Sequence, residues 1–116
     1  LNKKIIEFNV KKKFFQNSFV EIKNYILDKN EKKLKKDKLF IMVTEKEINS
    51  IIYLSKSTKA IKILELQSKV WGYQSELETH TVETHIYRLR KKILKTFNDN
   101  DFIISGKDGY QISKKK

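Results

Sequence analysis

The apolar spacing within residues 81–97 is the feature that most limits how this chain can fold. Val82, Ile86, Leu89, Ile93 and Phe97 recur at intervals of four, three, four and four residues, which is the spacing of one face of an α-helix. We therefore expect a helix from about Thr81 to Phe97 with this stripe in the core. The opposite face carries polar, aromatic and basic side chains: His80, Thr84, Tyr87, Arg88, Lys91 and Lys95.

Two shorter helices are expected before this one. The pattern from Thr44 to Glu47 is a capping box, and apolar residues at helical spacing follow it. A second helix is expected from about Ile63 to Trp71, with the Trp71 side chain in the core. Gly72 then ends that helix as a glycine C-cap.

Short apolar or alternating runs fill residues 19–43 and predict a small antiparallel sheet, with turns at residues 28–31 and 36–38. Near the end of the chain, residues 102–105 and 110–112 flank Gly106-Lys107-Asp108-Gly109, which predicts a hairpin with glycines free to adopt positive φ. We expect one α+β domain over residues 19–113. Residues 1–18 are expected to be a linker or the end of a preceding domain, and residues 114–116 a basic tail.

Composition narrows the class of protein. The length of 116 residues suits one domain, and the absence of cysteine excludes disulfides and thiolate metal sites. No apolar run is long enough to span a bilayer and no signal peptide is evident, so a cytoplasmic location without membrane insertion is expected. A formal charge of +12 attracts polyanions such as nucleic acid. An AT-rich genome alone also produces excess lysine, so the position of the charge matters more than its total.

The two arginines of the chain are the most selective charges. Arg88 and Arg90 are the only arginines among 26 basic residues, and they lie within one turn of the third predicted helix. Their planar guanidinium can make two hydrogen bonds to guanine or to a phosphate, which a lysine cannot copy. The alternative is an ion pair with an acid such as Glu83.

The order of the predicted elements is typical of a winged helix-turn-helix. In that architecture the third helix enters the major groove of DNA, and the hairpin reaches along the backbone or into the minor groove. Three motifs are more specific: Trp71-Gly72, the run from Thr81 to Ile93, and Gly109-Tyr110. With them, the sequence resembles the OmpR/PhoB family of response-regulator effector domains over residues 19–113.

The resemblance implies specific partners and contacts. Family members carry an N-terminal receiver domain, respond to a histidine kinase, dimerise on DNA and meet RNA polymerase through a loop that falls here on Tyr73 to His80. Base contacts are implied for Glu83, Thr84 and Arg88, and phosphate contacts for Thr81, His85 and Arg90. Here the wing is shorter than usual, and Lys107 is its only cation. Lys62 replaces the usual serine before the second helix, which predicts a poorer cap.

Side-chain chemistry and resemblance together give the full predicted site. Tyr87 is a candidate phosphate donor or stacking platform, the alternative being an ordinary surface tyrosine. The expected base contacts are Glu83, Thr84, Tyr87 and Arg88. The expected backbone contacts are His80, Thr81, His85, Arg90, Lys91, Lys92 and Lys107.

Other chemistry is not expected. His80 and His85 are five residues apart, a rotation of about 140° on a helix, so their rings diverge and should not share a metal ion. No nucleophile, phosphate-loop or paired-carboxylate motif predicts an enzyme, and no cofactor is expected. The competing hypotheses are a basic RNA-binding or ribosome-associated module, motivated by lysine and exposed aromatics, and a protein-interaction domain with solvated basic faces.

Overall fold

The computed structural model describes residues 18–72 and 78–112. Within these residues, four strands are followed by three helices and a final pair of strands. The strands are β1 (Phe19–Ile22), β2 (Tyr25–Asp28), β3 (Lys33–Lys36), β4 (Leu39–Met42), β5 (Ile103–Gly106) and β6 (Gly109–Ile112). The helices are α1 (Glu45–Ser55), α2 (Ile63–Val70) and α3 (Thr79–Phe97). The predicted order of sheet, three helices and hairpin is confirmed.

The N-terminal sheet is antiparallel throughout, in the order β1-β2-β3-β4. Its inner face is apolar because alternate residues point inward: Leu27 faces Leu34, and Leu34 faces Ile41, all three buried. Strand β3 was not predicted as a separate strand. Its sequence is Lys-Leu-Lys-Lys, and the single inward Leu34 is too weak a signal among lysines.

Helix α1 begins as the sequence predicts. The Glu47 amide donates to the Thr44 hydroxyl at 3.1 Å, and the Thr44 amide donates to Glu47 Oε1 at 2.8 Å. This reciprocal pair satisfies two amides that a helix start otherwise leaves unpaired.

Helix α2 departs from the prediction at its C-terminal end. It stops at Val70, and Trp71 is its C-cap residue rather than a helical core residue. The Trp71 ring is half-buried against the core. Gly72 follows with φ of 104°, as predicted for the glycine that ends this helix. At the other end, Lys62 provides no side-chain cap, as expected.

Helix α3 carries the predicted stripe into the core, where Val82, Ile86, Leu89 and Ile93 are buried. Phe97, the last member of the stripe, is only half-buried. The helix starts at Thr79, two residues earlier than expected, which places His80 in its first turn. It ends at Asn98, whose left-handed conformation (φ 54°) forms the C-cap.

Strands β5 and β6 form the wing, and a third segment joins them. Ile61 pairs with Tyr110 through two backbone hydrogen bonds, of 2.7 and 2.9 Å. Gly109 has φ of 119°, and a Cβ there would lie 2.1 Å from the Ile61 carbonyl oxygen, so the close approach requires glycine. Gly106 does not use positive φ, which corrects that part of the hairpin prediction. The Ile61 pairing was also missed.

The C-terminal end of α3 is joined to the sheet through Tyr25. Its ring packs against Phe97 and Phe102, with centroids 5.1 and 4.5 Å away, and its hydroxyl donates to Asp99 Oδ2 at 2.6 Å. Burial, together with this bond to a carboxylate, raises the pKa of Tyr25. Burial opposes ionisation of Asp99, but its hydrogen bonds from Tyr25 and the Asp101 amide prevail and lower its pKa.

Within residues 18–72 and 78–112, no helix has the length and apolar character that crossing a membrane requires. The predicted linker at residues 1–18 and the tail at residues 114–116 lie outside the described residues, apart from Ser18. These two assignments stay predictions.

Candidate nucleic-acid interface

The predicted base-reading residues lie together on the N-terminal half of α3. Glu83, Tyr87 and Arg88 are exposed, and Thr84 is half-exposed beside them. They share one side of the helix because positions three and four residues apart are neighbours on its surface. The structure therefore presents the four side chains as one surface.

Arg88 is exposed on this surface. Its side chain makes no hydrogen bond or ion pair with any residue of the two described ranges, so the predicted alternative, a pair with Glu83, is not formed there. One turn away, the Lys91 ammonium lies 5.3 Å from the centre of the Tyr87 ring, in cation–π contact. Tyr87 is 56% exposed despite this contact.

A cleft of about 370 Å³ separates this surface from the wing. Helix α3 contributes one wall and the paired wing residues Ser105 and Tyr110 the other. The lining residues are His80, Glu83, Thr84, Tyr87, Arg90, Ser105 and Tyr110. Most of these side chains carry a hydrogen-bond donor, so the cleft is suited to an anionic group.

Tyr110 stays protonated in this cleft. Burial raises the pKa of its hydroxyl, the nearby Glu83 carboxylate raises it further, and Arg90 partly offsets both. At neutral pH the phenol is therefore a donor. Neither Tyr110 nor Ser105 was predicted as a site residue. The Gly109-Tyr110 pair was the available signal, but only the fold shows that the ring faces α3.

Arg90 joins the recognition surface to the wing. Its Nε donates to the Ile103 carbonyl at 3.0 Å, so the partner that holds this side chain is a backbone oxygen of β5 and not an acid. The half-buried guanidinium also lines the cleft. The guanidinium distributes its five donors over three nitrogens in a fixed fork, so Nε can hold the wing while donors on the terminal nitrogens remain for a ligand in the cleft.

Lys92, predicted to contact the DNA backbone, is partly exposed and its ammonium is paired with groups of the fold. Its ammonium lies 2.7 Å from Glu47 Oε1 and 2.9 Å from the Met42 carbonyl oxygen. The Glu47 carboxylate is buried, so this pair joins α3 to the start of α1 and the end of β4. The phosphate contact of Lys92 remains a sequence prediction that this geometry does not favour.

The other predicted site residues lie elsewhere on α3 and at the wing. His85 is half-buried and its ring meets Trp71 edge-on at 5.4 Å, while the exposed His80 lines the cleft. Thr81 lies half-exposed in the first turn of α3, and Lys107 is exposed at the tip of the wing. In the described part of the chain, no three side chains of the metal-binding types cluster. Of the predicted polymerase loop, residues 73–77 lie outside the described residues.

A known protein family shares sequence features with this chain. The family described as "Transcriptional regulatory protein, C terminal" matches residues 35–112, more than half of the chain. The transcriptional regulatory protein SrrA of Staphylococcus aureus is 32% identical over 75 residues, which cover 64% of this chain and 31% of SrrA. The chain thus aligns with about a third of the length of its curated relatives.

Two solved structures share the fold. The DNA-binding domain of Escherichia coli CadC superposes with a TM-score of 0.70 at 21% identity, covering 83% of this chain and 92% of that domain. The DNA-binding domain of the response regulator AdeR, solved with an intercistronic region, gives 0.68 at 22% identity over 81% of this chain and 98% of that one. With the family match, these likenesses confirm the predicted winged helix. The chain belongs to the OmpR/PhoB family of transcriptional regulators, as their C-terminal DNA-binding domain.

Proposed function

We propose that this domain binds double-stranded DNA in a sequence-specific way and is the output module of a two-component response regulator. The observation that carries the proposal is Arg88 on α3, which is exposed, has no hydrogen bond or ion pair with the described residues, and lies beside a cleft lined with donors. A guanidinium without a partner among these residues is available for guanine O6 and N7 in the major groove. The family is one of regulators rather than enzymes, and we propose that the domain has no catalytic activity.

The proposed contacts divide into base reading and backbone binding. Glu83, Thr84, Tyr87 and Arg88 read base edges from the exposed side of α3. The cleft accepts the sugar–phosphate backbone, because Arg90 and Tyr110 supply donors from its two walls. The other backbone residues in the proposal are His80, Thr81, His85, Lys91, Ser105 and Lys107. Lys92 is left out because Glu47 already neutralises it.

The partners follow from family membership. In a longer protein, a receiver domain would precede residue 19, a histidine kinase would act on it, and two copies would pair on DNA. RNA polymerase would meet the loop from Tyr73 to His80. These partners and a cytoplasmic location are proposals supported by the family and by relatives about three times the length of the matched region.

Salt dependence of binding tests the function. The three cations proposed as backbone contacts, Arg90, Lys91 and Lys107, predict a slope of about −3 in a log–log plot of the binding constant against salt. The measurement uses a duplex selected from random sequences, a scrambled duplex and a structured RNA. Equal competition by RNA and the selected duplex would favour the RNA-binding alternative, and a slope near zero would contradict groove binding.

A further inference from the structure

The Thr84 hydroxyl has already used its only proton. It donates to the carbonyl oxygen of His80, four residues earlier on α3, at 2.9 Å. A threonine hydroxyl carries one donor and two acceptor lone pairs. While this bond holds, Thr84 cannot donate to guanine O6 or N7, to adenine N7 or to thymine O4.

The other branch of the side chain is a methyl group, and it is the branch left free when the oxygen turns back onto the helix. Thr84 is half-exposed and lies at the edge of the cleft, between Glu83 and the exposed Tyr87 and Arg88. Thr84 and Arg88 are four residues apart and neighbours on the helix surface, so a DNA groove that meets the Arg88 guanidinium also passes this side chain. The one base edge in the major groove that offers a methyl in return is thymine, through its C5-methyl.

Amino groups of adenine or cytosine are less suitable partners. They require an acceptor, and the neighbouring Glu83 carboxylate is a stronger one than a hydroxyl whose oxygen is turned toward the helix backbone. Glu83 is exposed, so it competes for any amino group that approaches this turn. The acceptor function therefore falls to Glu83, which leaves an apolar contact to Thr84.

We propose that Thr84 recognises a thymine by contact between the two methyl groups, and that its hydroxyl takes no direct part in base reading. This inference rests on the proposed function, since it specifies part of the DNA site that α3 reads. Thr84 and Arg88 are one turn apart, a rise of about 6 Å, which corresponds to about two base-pair steps. The half-site should therefore contain a thymine about two base pairs from the guanine that Arg88 reads.

The experiment removes the thymine methyl group and the Thr84 methyl group separately. A duplex selected with the wild-type domain is resynthesised with deoxyuridine at each thymine in turn, which deletes only the C5-methyl. Affinities for the thymine and uracil duplexes are measured with the wild-type domain, Thr84→Ser and Thr84→Val. Thr96→Ser, near the far end of the same helix, is the matched control, and thermal melting checks that every variant is folded.

At one position, the wild-type domain should prefer thymine over uracil by about four-fold, the value of one buried methyl group. Thr84→Val keeps a methyl and should retain this ratio, whereas Thr84→Ser should reduce it to about one; Thr96→Ser should leave it unchanged. The inference is overturned if no uracil substitution weakens binding, or if Thr84→Val loses the ratio and Thr84→Ser keeps it. Equal binding of selected and scrambled duplexes by the wild-type domain would instead contradict the proposed function itself.

Discussion

Helix α3 carries two sets of cations that differ in what already holds them. Arg90 and Lys92 bond to backbone carbonyls of β5 and β4, and Lys92 also pairs with Glu47. Arg88 and Lys91 have neither a hydrogen bond nor an ion pair within residues 18–72 and 78–112. The first set fixes the helix in the domain, and of its two members Arg90 also lines the cleft. The second set has no such anchor among these residues and is available for a ligand. Positive charge on a helix therefore does not by itself identify a DNA contact.

The largest effect is expected at the internal pair. Lys92→Met leaves the buried Glu47 carboxylate without its cation, and we expect a loss of about 2–4 kcal/mol in the free energy of unfolding, below the range for fully buried pairs because Lys92 is partly exposed. Urea denaturation measures this loss. The salt slope of DNA binding should not change, because an ammonium paired with Glu47 releases no counterions from DNA.

The matched variant for this prediction is Glu47→Gln. It keeps a side-chain oxygen for the capping box but removes the charge, so it should also destabilise the domain and leave the salt slope intact. A Lys92→Met protein of normal stability whose salt slope falls by about one unit would reverse the assignment. Lys92 would then be the phosphate contact that the sequence predicts.

Arg88→Lys should act on binding instead of stability. The change keeps the charge but loses the planar fork, so we expect a loss of about 1–3 kcal/mol on the selected duplex and relaxed specificity at one base pair. Titrations of selected and scrambled duplexes measure the difference, with unfolding as the control. Equal losses on both duplexes would assign Arg88 to the backbone. Specificity would then come from Glu83, Thr84 and Tyr87 or from DNA shape.

Lys91→Ala should give a smaller and uniform change. The ammonium lies over the Tyr87 ring and has no hydrogen bond or ion pair with the described residues, so its loss should weaken all duplexes alike and reduce the salt slope by about one unit. Binding measured at four salt concentrations is sufficient. If the selected duplex alone suffers, then the cation–π contact positions Tyr87 for base reading, and Lys91 acts through it.

The sequence predicted those features of α1 and α3 that depend on local spacing. The buried stripe of α3 and the capping box of α1 are set by residues three or four apart, so their pattern is visible in the sequence. The sequence does not show that Lys92 is paired within the fold while Arg88 is exposed. Glu47 and Lys92 are 45 residues apart, and only the packing of α1 against α3 brings them together.

The wing also depends on a contact between residues that are far apart in the sequence. Two strands and a turn were evident from the apolar runs and glycines, but the pairing of Ile61 with Tyr110 depends on a segment 49 residues earlier. That pairing needs Gly109, because the Ile61 carbonyl occupies the space of a side chain. As a result, the cleft wall formed by Ser105 and Tyr110 was outside what the sequence could predict.

The smallest effect is expected just beyond the C-terminal end of α3, where the Tyr25 hydroxyl donates a hydrogen bond to Asp99. Because the folded state lowers the pKa of Asp99 from its ordinary 3.8, the bond should stabilise the domain above that pH and lose this contribution as pH falls through the lower folded value. Asp99→Asn should cost less than about 1 kcal/mol at neutral pH, since solvent screens the partly exposed carboxylate, and the difference from wild type should shrink below pH 3.8.

Tyr25→Phe keeps the ring packing and removes the hydroxyl, so it should flatten the same part of the pH profile. Urea unfolding between pH 2.5 and 7 measures both variants, with DNA affinity at neutral pH expected to stay at the wild-type value. A loss of affinity in either variant would mean that this anchor also sets the position of the DNA-reading surface, and the division of α3 into fixed and available side chains would have to include its C-terminal end.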